Sequence, residues 1–341
     1  MEMNTIDLNQ GKEVMNIYGG SERKKRFLID GKYYLVKFPD PVREVRRELS
    51  YMNNQFSEYI GCHVFESIGI PVQKTYLGEY EWKGKKLVVV ACEDFQNLGL
   101  SLNPIARIEL SDLDSNLSGK SRTISSLYET IKSLPSPELR FDVRKRFWEI
   151  FVVDSLIGNY DRHMENWGLA ETQDGTIIPA PVYDCGSCLH PLYTVQEMSD
   201  YLLHTGQLRN IAYNMRSQFS EEKTGRTLRF IDVYENADRF LKQAILDVFP
   251  RIDLTKIYKI IQATPFLDEP KSKQFMFETL KIRYNQILLK EYVKLKYRDL
   301  TPDQQKAMEK RIKSNNNISL KRAGYIPLAQ SVKEPEQDLE H

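Results

Sequence analysis

Leu156-Ile157-Gly158-Asn159-Tyr160-Asp161-Arg162-His163-Met164-Glu165-Asn166-Trp167-Gly168 is the stretch from which the rest of the chain is read. It follows an apolar, helix-patterned run over 138–157 that Gly158 stops. It leads into a small hairpin, Trp167-Gly168-Leu169-Ala170 and Thr176-Ile177-Ile178 around Asp174-Gly175. The hairpin returns the chain to Val182-Tyr183-Asp184-Cys185-Gly186, so Asp161, Asn166 and Asp184 are expected to meet at one mouth although 23 residues separate the first from the last.

Two further polar residues sit where an ordinary core would not want them. Lys37 lies mid-strand between Val36 and Phe38, and Glu58 follows 21 residues later on a helix-patterned segment. A Lys and a Glu buried as a pair cost less than either buried alone. Together these are the parts of a phosphoryl-transfer site: a glycine turn over phosphates, a strand lysine held by a helix glutamate, a loop Asp for the acceptor hydroxyl, and an Asn and an Asp for magnesium. Each part alone has a commoner use, since Asp caps helices and turns and Lys and Glu mostly face water. Their order along the chain gives the pattern its weight.

The chain has 341 residues, enough for about two domains or one large domain in two lobes. Lys and Arg number 48 against 47 Asp and Glu, a net charge of +1, without the bulk positive field of a nucleic-acid binder; no nucleic-acid partner is expected. Hydrophobic residues at 41% and charged residues at 28% fit a soluble globular protein. Neither an apolar leader nor a run of about 18 apolar residues is written here, so no membrane span is expected. Cys62, Cys92, Cys185 and Cys188 are too few for a disulfide scaffold and point to a reducing cytoplasm, with delivery into a host left open. Leu339-Glu340-His341 resembles the remnant of an expression tag.

From residue 27 to about 95 the apolar runs are strand-like. Phe27-Leu28-Ile29 and residues 32–38 flank Asp30-Gly31, a type I′ hairpin signal, and Pro39 and Pro41 end the second strand. A helix is predicted over 54–67, closed by Gly69-Ile70-Pro71, and a second hairpin joins 73–80 to 86–91 through Lys83-Gly84. Helices are predicted near 122–133, 138–157, 235–247, 254–262 and 271–299. From Thr301 the sequence turns polar and reads as a solvated, partly disordered tail.

At this point a family resemblance is specific. The chain resembles HipA-like serine/threonine kinases, above all their short, stand-alone, cell-translocating type, over about residues 15–290. The resemblance rests on Tyr34-Leu35-Val36-Lys37-Phe38-Pro39, Phe56-Ser57-Glu58-Tyr59, Val90-Ala91-Cys92-Glu93-Asp94-Phe95, the stretch from Leu156 to Gly168, Asp184-Cys185-Gly186-Ser187 and Phe249-Pro250-Arg251-Ile252-Asp253. It implies an α+β, two-lobed, kinase-like fold, with a mostly β N-lobe over 1–95, a helical C-lobe over 96–300 and the tail beyond. It further implies ATP and Mg2+ as cofactors, Asp161 as catalytic base, Asn166 and Asp184 on the metal, and Lys37 with Glu58 on the ATP phosphates. Main-chain groups near Glu93 and Phe95 would hold adenine. The phosphate loop would contain Gly19, Gly20 and Ser21. Read from the residues alone, His163 either orients the catalytic loop beside the nucleotide or has a purely structural role.

Two departures qualify the resemblance. Arg162 and His163 follow the catalytic Asp, where ordinary protein kinases place His-Arg before it. The phosphate loop Tyr18-Gly19-Gly20-Ser21-Glu22-Arg23-Lys24 lacks the Ser-x-Ser pair of HipA itself, which leaves Ser21 as the candidate autophosphorylation site. The expected partners are a protein substrate with a Ser or Thr acceptor and an antitoxin-like regulator. Competing readings are a nucleotide-binding pseudokinase or toxin–antitoxin interaction module, and a phosphatidylinositol-4-kinase-like lipid kinase. A rival constellation, Cys185-Gly186-Ser187-Cys188 with His190 nearby, has the spacing of a redox pair or half a zinc site. His63, on the apolar face of its helix, reads as a packed histidine.

Overall fold

The computed structural model describes residues 5–16, 23–39, 53–82, 84–107 and 122–328. Its first layer is an antiparallel five-stranded sheet, β1 Lys12–Val14, β2 Lys24–Ile29, β3 Lys32–Lys37, β4 Thr75–Trp82 and β5 Lys85–Glu93, in the order β1-β2-β3-β5-β4. The β2–β3 turn falls on Asp30 and Gly31, at φ 48° and 75°, the left-handed pair that a two-residue hairpin needs. Alternation then sorts the side chains. Phe27, Ile29, Tyr34, Val36 and Phe38 pack on one face with Leu8, Val89 and Ala91. Leu35 and Lys37 point to the other, where Lys37 stands opposite Val90.

That second face is covered by α1, Asn54–Ile68, through Ile60, Val64, Phe65 and Ile68. The helix ends as its sequence signals, on Gly69 in the left-handed region at φ 79°. Pro41 and Lys83 lie outside the described residues.

The rest of the chain is mostly helical. α2, Ile124–Lys132, starts on a Thr123–Ser126 capping box, and α3, Pro137–Ile157, is buried at every residue from Phe147 to its end. A helix segment buried on all sides lies at the centre of a fold, and the second half of α3 delivers the decisive loop from there. The expected small hairpin is present as β7, Gly168–Glu171, and β8, Ile177–Pro179, with β6, Ser101–Pro104, on the open edge of β7.

Several predicted elements differ. Helices α4, Val195–Leu203, and α5, Thr205–Tyr213, and the hairpin β9, Arg216–Ser220, with β10, Thr227–Arg229, fill a stretch left unassigned from the sequence. The helix predicted over 235–247 is α7, Arg239–Val248, which starts four residues later because the Asp238 carboxylate accepts from the N–H groups of Phe240 and Leu241, and a separate short helix, α6 Phe230–Glu235, precedes it. α8, Leu254–Gln262, is as predicted. The helix over 271–299 runs as α9 Pro270–Arg283, a π turn Tyr284–Leu288 and α10 Leu289–Lys296.

The polar tail is the largest correction. Residues Pro302–Arg322 form a helix, α11, opened by a Thr301–Gln304 capping box. Met308, Ile312 and Leu320 recur at multiples of four residues and turn one stripe to the core, while Asn316 on the same stripe donates to the Tyr284 hydroxyl at 3.1 Å. Tyr325, buried just beyond, donates to Glu278 and accepts from Lys281. The tag-like end, 339–341, lies outside the described residues. Among those described, no helix is long and apolar enough to cross a membrane.

Candidate active site

Lys37 ends β3 on the face that α1 covers, and its ammonium finds two carboxylates there. Nζ lies 2.9 Å from Glu58 Oε2 and 2.6 Å from Asp184 Oδ1. Glu58, in the second turn of α1, is fully buried, and its other oxygen accepts the Cys185 N–H at 3.0 Å and the Cys62 thiol at 3.7 Å. One carboxylate thus ties the strand lysine to the chain just after Asp184. Burial pushes the Asp184 carboxyl up, and the Lys37 ammonium more than reverses this, holding it below the usual carboxylate range.

Asp161 sits on the loop leaving α3. Gly158 turns the chain at φ 69°, where a Cβ would lie 2.9 Å from the Arg283 guanidinium carbon, so this position requires glycine on both counts. The loop then folds onto itself. Asn166 Nδ2 donates to the Asp161 carbonyl at 2.8 Å, His163 N–H donates to the same carbonyl at 2.8 Å, and Asn166 N–H donates to the His163 carbonyl at 2.9 Å. His163 Nδ1 accepts the Glu165 N–H at 3.3 Å, which leaves Nε2 to carry the proton, 3.9 Å from Asp161 Oδ2. Burial, reinforced by the charge of Asp184, lifts the Asp161 carboxyl above its ordinary range against the pull of His163.

Arg162 is the residue that sequence reasoning passed over. Its buried guanidinium meets Asp154 of α3 at two points, Nε to Oδ2 at 2.9 Å and Nη2 to Oδ1 at 3.1 Å. Nη1 donates to the carbonyls of Asn166, at 2.8 Å, and Tyr183, and Nη2 reaches Cys185 Sγ at 3.4 Å. One side chain therefore holds α3, the loop with Asp161 and Asn166, and the segment with Asp184. The available signal was a lone Asp154 inside Phe151-Val152-Val153-Asp154-Ser155-Leu156-Ile157, an acid that an apolar helix keeps only with a partner.

At the end of β5, Glu93 N–H donates to the Lys74 carbonyl at 2.8 Å and its own carbonyl accepts from Gln73 Nε2 at 2.9 Å. Asp94 caps a 3-10 turn, Phe95–Leu98, and takes Arg26 Nε at 2.9 Å. Phe95 buries its ring edge-on to Tyr183, and as the first residue of that turn its N–H has no acceptor within it. Gly19, Gly20 and Ser21 lie outside the described residues; the strands that flank them, β1 and β2, are paired, and Lys24 at the start of β2 stands opposite Lys37.

Among the described residues, the rival cysteine constellation does not gather as a zinc half-site. His190 Nε2 faces the Arg283 guanidinium at 3.3 Å, and Cys188 Sγ donates to the Ser57 carbonyl at 3.2 Å. Cys185 instead lies with Cys62 and Glu58, the ligand atoms of all three being within 4.8 Å of one another. His63 is buried, with Nδ1 2.8 Å from the Tyr59 carbonyl, as a packed histidine should be.

The arrangement has counterparts in known proteins. The family model described as the HipA-like C-terminal domain matches residues 15–285. The serine/threonine-protein kinase CtkA of Helicobacter pylori strain J99 is 32% identical over 274 residues, covering 80% of this chain and 82% of that protein. The crystal structure of the Helicobacter pylori proinflammatory kinase CtkA superposes with a TM-score of 0.77 at 30% identity, over 87% of this chain and 99% of that one.

Proposed function

We propose a reaction from one premise: the chain belongs to the HipA-like C-terminal domain family and is a serine/threonine-protein kinase of mixed α/β, kinase-like fold that uses ATP. The reaction is transfer of the γ-phosphoryl group to a serine or threonine hydroxyl of a protein, autophosphorylation included. The observation that carries this reading is the single ammonium of Lys37 held between Glu58 and Asp184 at 2.9 and 2.6 Å.

In this reading Lys37 binds the ATP phosphates, and Glu58 fixes its position and keeps it charged. Asp184 and Asn166 offer a carboxylate and an amide oxygen, hard donors of the kind magnesium takes, and the lowered pKa of Asp184 keeps that carboxylate ionised at neutral pH. Bound magnesium would supply charge neutralisation between the phosphates. Asp161 accepts the proton of the acceptor hydroxyl, and His163 Nε2 steadies the carboxylate that does so. Adenine would lie at the end of β5. There the main-chain groups of Glu93 already have partners, so the N–H of Phe95 is the donor we assign to it. The loop with Gly19, Gly20 and Ser21 would close over the phosphates, and Ser21 is the autophosphorylation site we assign.

Intact mass before and after incubation with ATP and magnesium tests the reading, with Asp161→Asn alongside. Gains of about 80 Da per phosphate in the wild type and none in the variant are expected. A wild type that neither gains mass nor labels any added serine- or threonine-bearing protein would overturn it, and unmodified Ser21 in a phosphorylated sample would remove the site assignment.

A further inference from the structure

Three of the four cysteines crowd the inner side of the Lys37–Glu58–Asp184 cluster. Cys62 stands one turn after Glu58 on α1, Cys185 follows Asp184, and both are buried. Their sulfurs and the Glu58 carboxylate lie within 4.8 Å of one another. Gly61 makes this approach possible. A Cβ there would fall 2.7 Å from Cys185 Cβ and 3.0 Å from Cys188 Sγ, so the helix backbone itself rests on the chain after Asp184. Such contact between two segments far apart in sequence brings the Cys62 and Cys185 sulfurs within 4.8 Å, from where a small shift reaches the S–S bond length of about 2.05 Å.

We propose that Cys62 and Cys185 are a modification site, oxidised by hydroperoxides to a disulfide that reversibly disables the phosphoryl-transfer cluster. One thiol sulfur attacks the peroxide oxygen; the O–O bond breaks, a sulfenic acid forms and, with hydrogen peroxide, a water leaves. The second sulfur attacks the first, the S–S bond forms, the S–O bond breaks and a second water leaves. The two thiols lose two electrons and the peroxide gains them. Disulfides of this kind are transient where thiols are kept reduced, which suits a reversible device.

The pairing is selective because Cys62, not Cys188, shares that 4.8 Å cluster with Cys185, while Cys188 Sγ donates to the Ser57 carbonyl at 3.2 Å. Its consequence follows from what stands beside the two sulfurs. Glu58 accepts from both the Cys62 thiol and the Cys185 N–H, at 3.7 and 3.0 Å. Closing the sulfurs to about 2.05 Å removes the first donor and draws Cys185 away from the second. Asp184, one residue before, is drawn from Lys37 with it. The effect on transfer rests on the kinase reading above; the cross-link itself does not.

The test uses the full chain, purified reduced, desalted, exposed to hydrogen peroxide, blocked with N-ethylmaleimide in denaturant and digested. Expected are a Cys62–Cys185 linked peptide, a whole-chain mass, read before blocking, lower by about 2 Da, and a transfer rate, also read before blocking, lower by roughly 100-fold, the cost of an ångström-scale misplacement. Dithiothreitol should restore the rate. Cys62→Ser and Cys62→Ala, each compared with its own untreated rate, should show neither the link nor the loss. A link between Cys185 and Cys188, no link at all, or equal loss in the Cys62 variants would overturn the proposal. If the chain transfers no phosphate, the linked peptide and its absence from the Cys62 variants still decide the pairing.

Discussion

Arg162 and Asp154 form a buried, two-point ion pair eight residues apart, and the same guanidinium also holds the Asn166 and Tyr183 carbonyls. The loop with Asp161 and the segment with Asp184 are thereby positioned from one side chain. Replacing Arg162 with Ala would leave the Asp154 carboxylate buried without a counter-charge, which costs about 3–5 kcal/mol. Arg162→Lys keeps the charge but not the planar fork, so it should recover stability only in part and transfer less. Urea denaturation beside initial rates checks this, and wild-type stability in Arg162→Ala would refute it.

Glu58→Gln preserves the shape of the side chain while removing its charge from Lys37. Its transfer rate should fall by about 100-fold, with weaker binding of nucleotide, because Lys37 then loses its ion pair with Glu58 while keeping that with Asp184. Steady-state kinetics and nucleotide titration measure the two effects separately.

The pH profile follows from Asp161. In the proposed reading Asp161 is the base and must be ionised, and this carboxyl lies above the ordinary range through burial and the charge of Asp184. Transfer should therefore fall on the acid side at a pH higher than a free aspartate would give. The pull of His163 opposes that shift, so His163→Gln should move the acid limb to still higher pH. A limb that moves down instead contradicts the assigned contact.

Gly158→Ala should destabilise the fold by roughly 1–3 kcal/mol from its left-handed backbone alone, and by more where the new methyl meets Arg283. Thermal melting reads this directly.

Ending the chain after residue 300 deletes α11 and with it the burial of Leu320 and Tyr325. Loss of one such large buried side chain costs about 2–5 kcal/mol, so the shortened protein should melt well below the full chain. Equal melting would return this region to the status of a solvated tail.

The sequence made the site's charged groups readable and hid what positions them. Lys37, Glu58 and Asp184 stood out because each contradicts its apolar surroundings, and the order in which they occur suited one chemistry. Arg162 did not stand out, since its partners come from three separate segments that no local pattern connects. α11 was hidden for another reason: averaged polarity conceals a stripe of Met308, Ile312 and Leu320 at multiples of four, and Thr301-Pro302 with Gln304 was the start signal to weigh. With the cysteines, spacing misled. Cys185-x-x-Cys188 suggested a local pair, while Cys185 lies beside Cys62, 123 residues earlier.

The small parallel bridge between Val72 and Val182 has a mechanical meaning. Gln73 N–H donates to the Val182 carbonyl and Val182 N–H to the Pro71 carbonyl, both at 2.8 Å. The segment entering β4 is thus bolted to the chain two residues ahead of Asp184. A swing of the sheet against the helices would be restrained at that bolt. Atoms near it travel less than those farther out, so the bolt acts as the fulcrum of a lever whose far end is the β1 edge of the sheet.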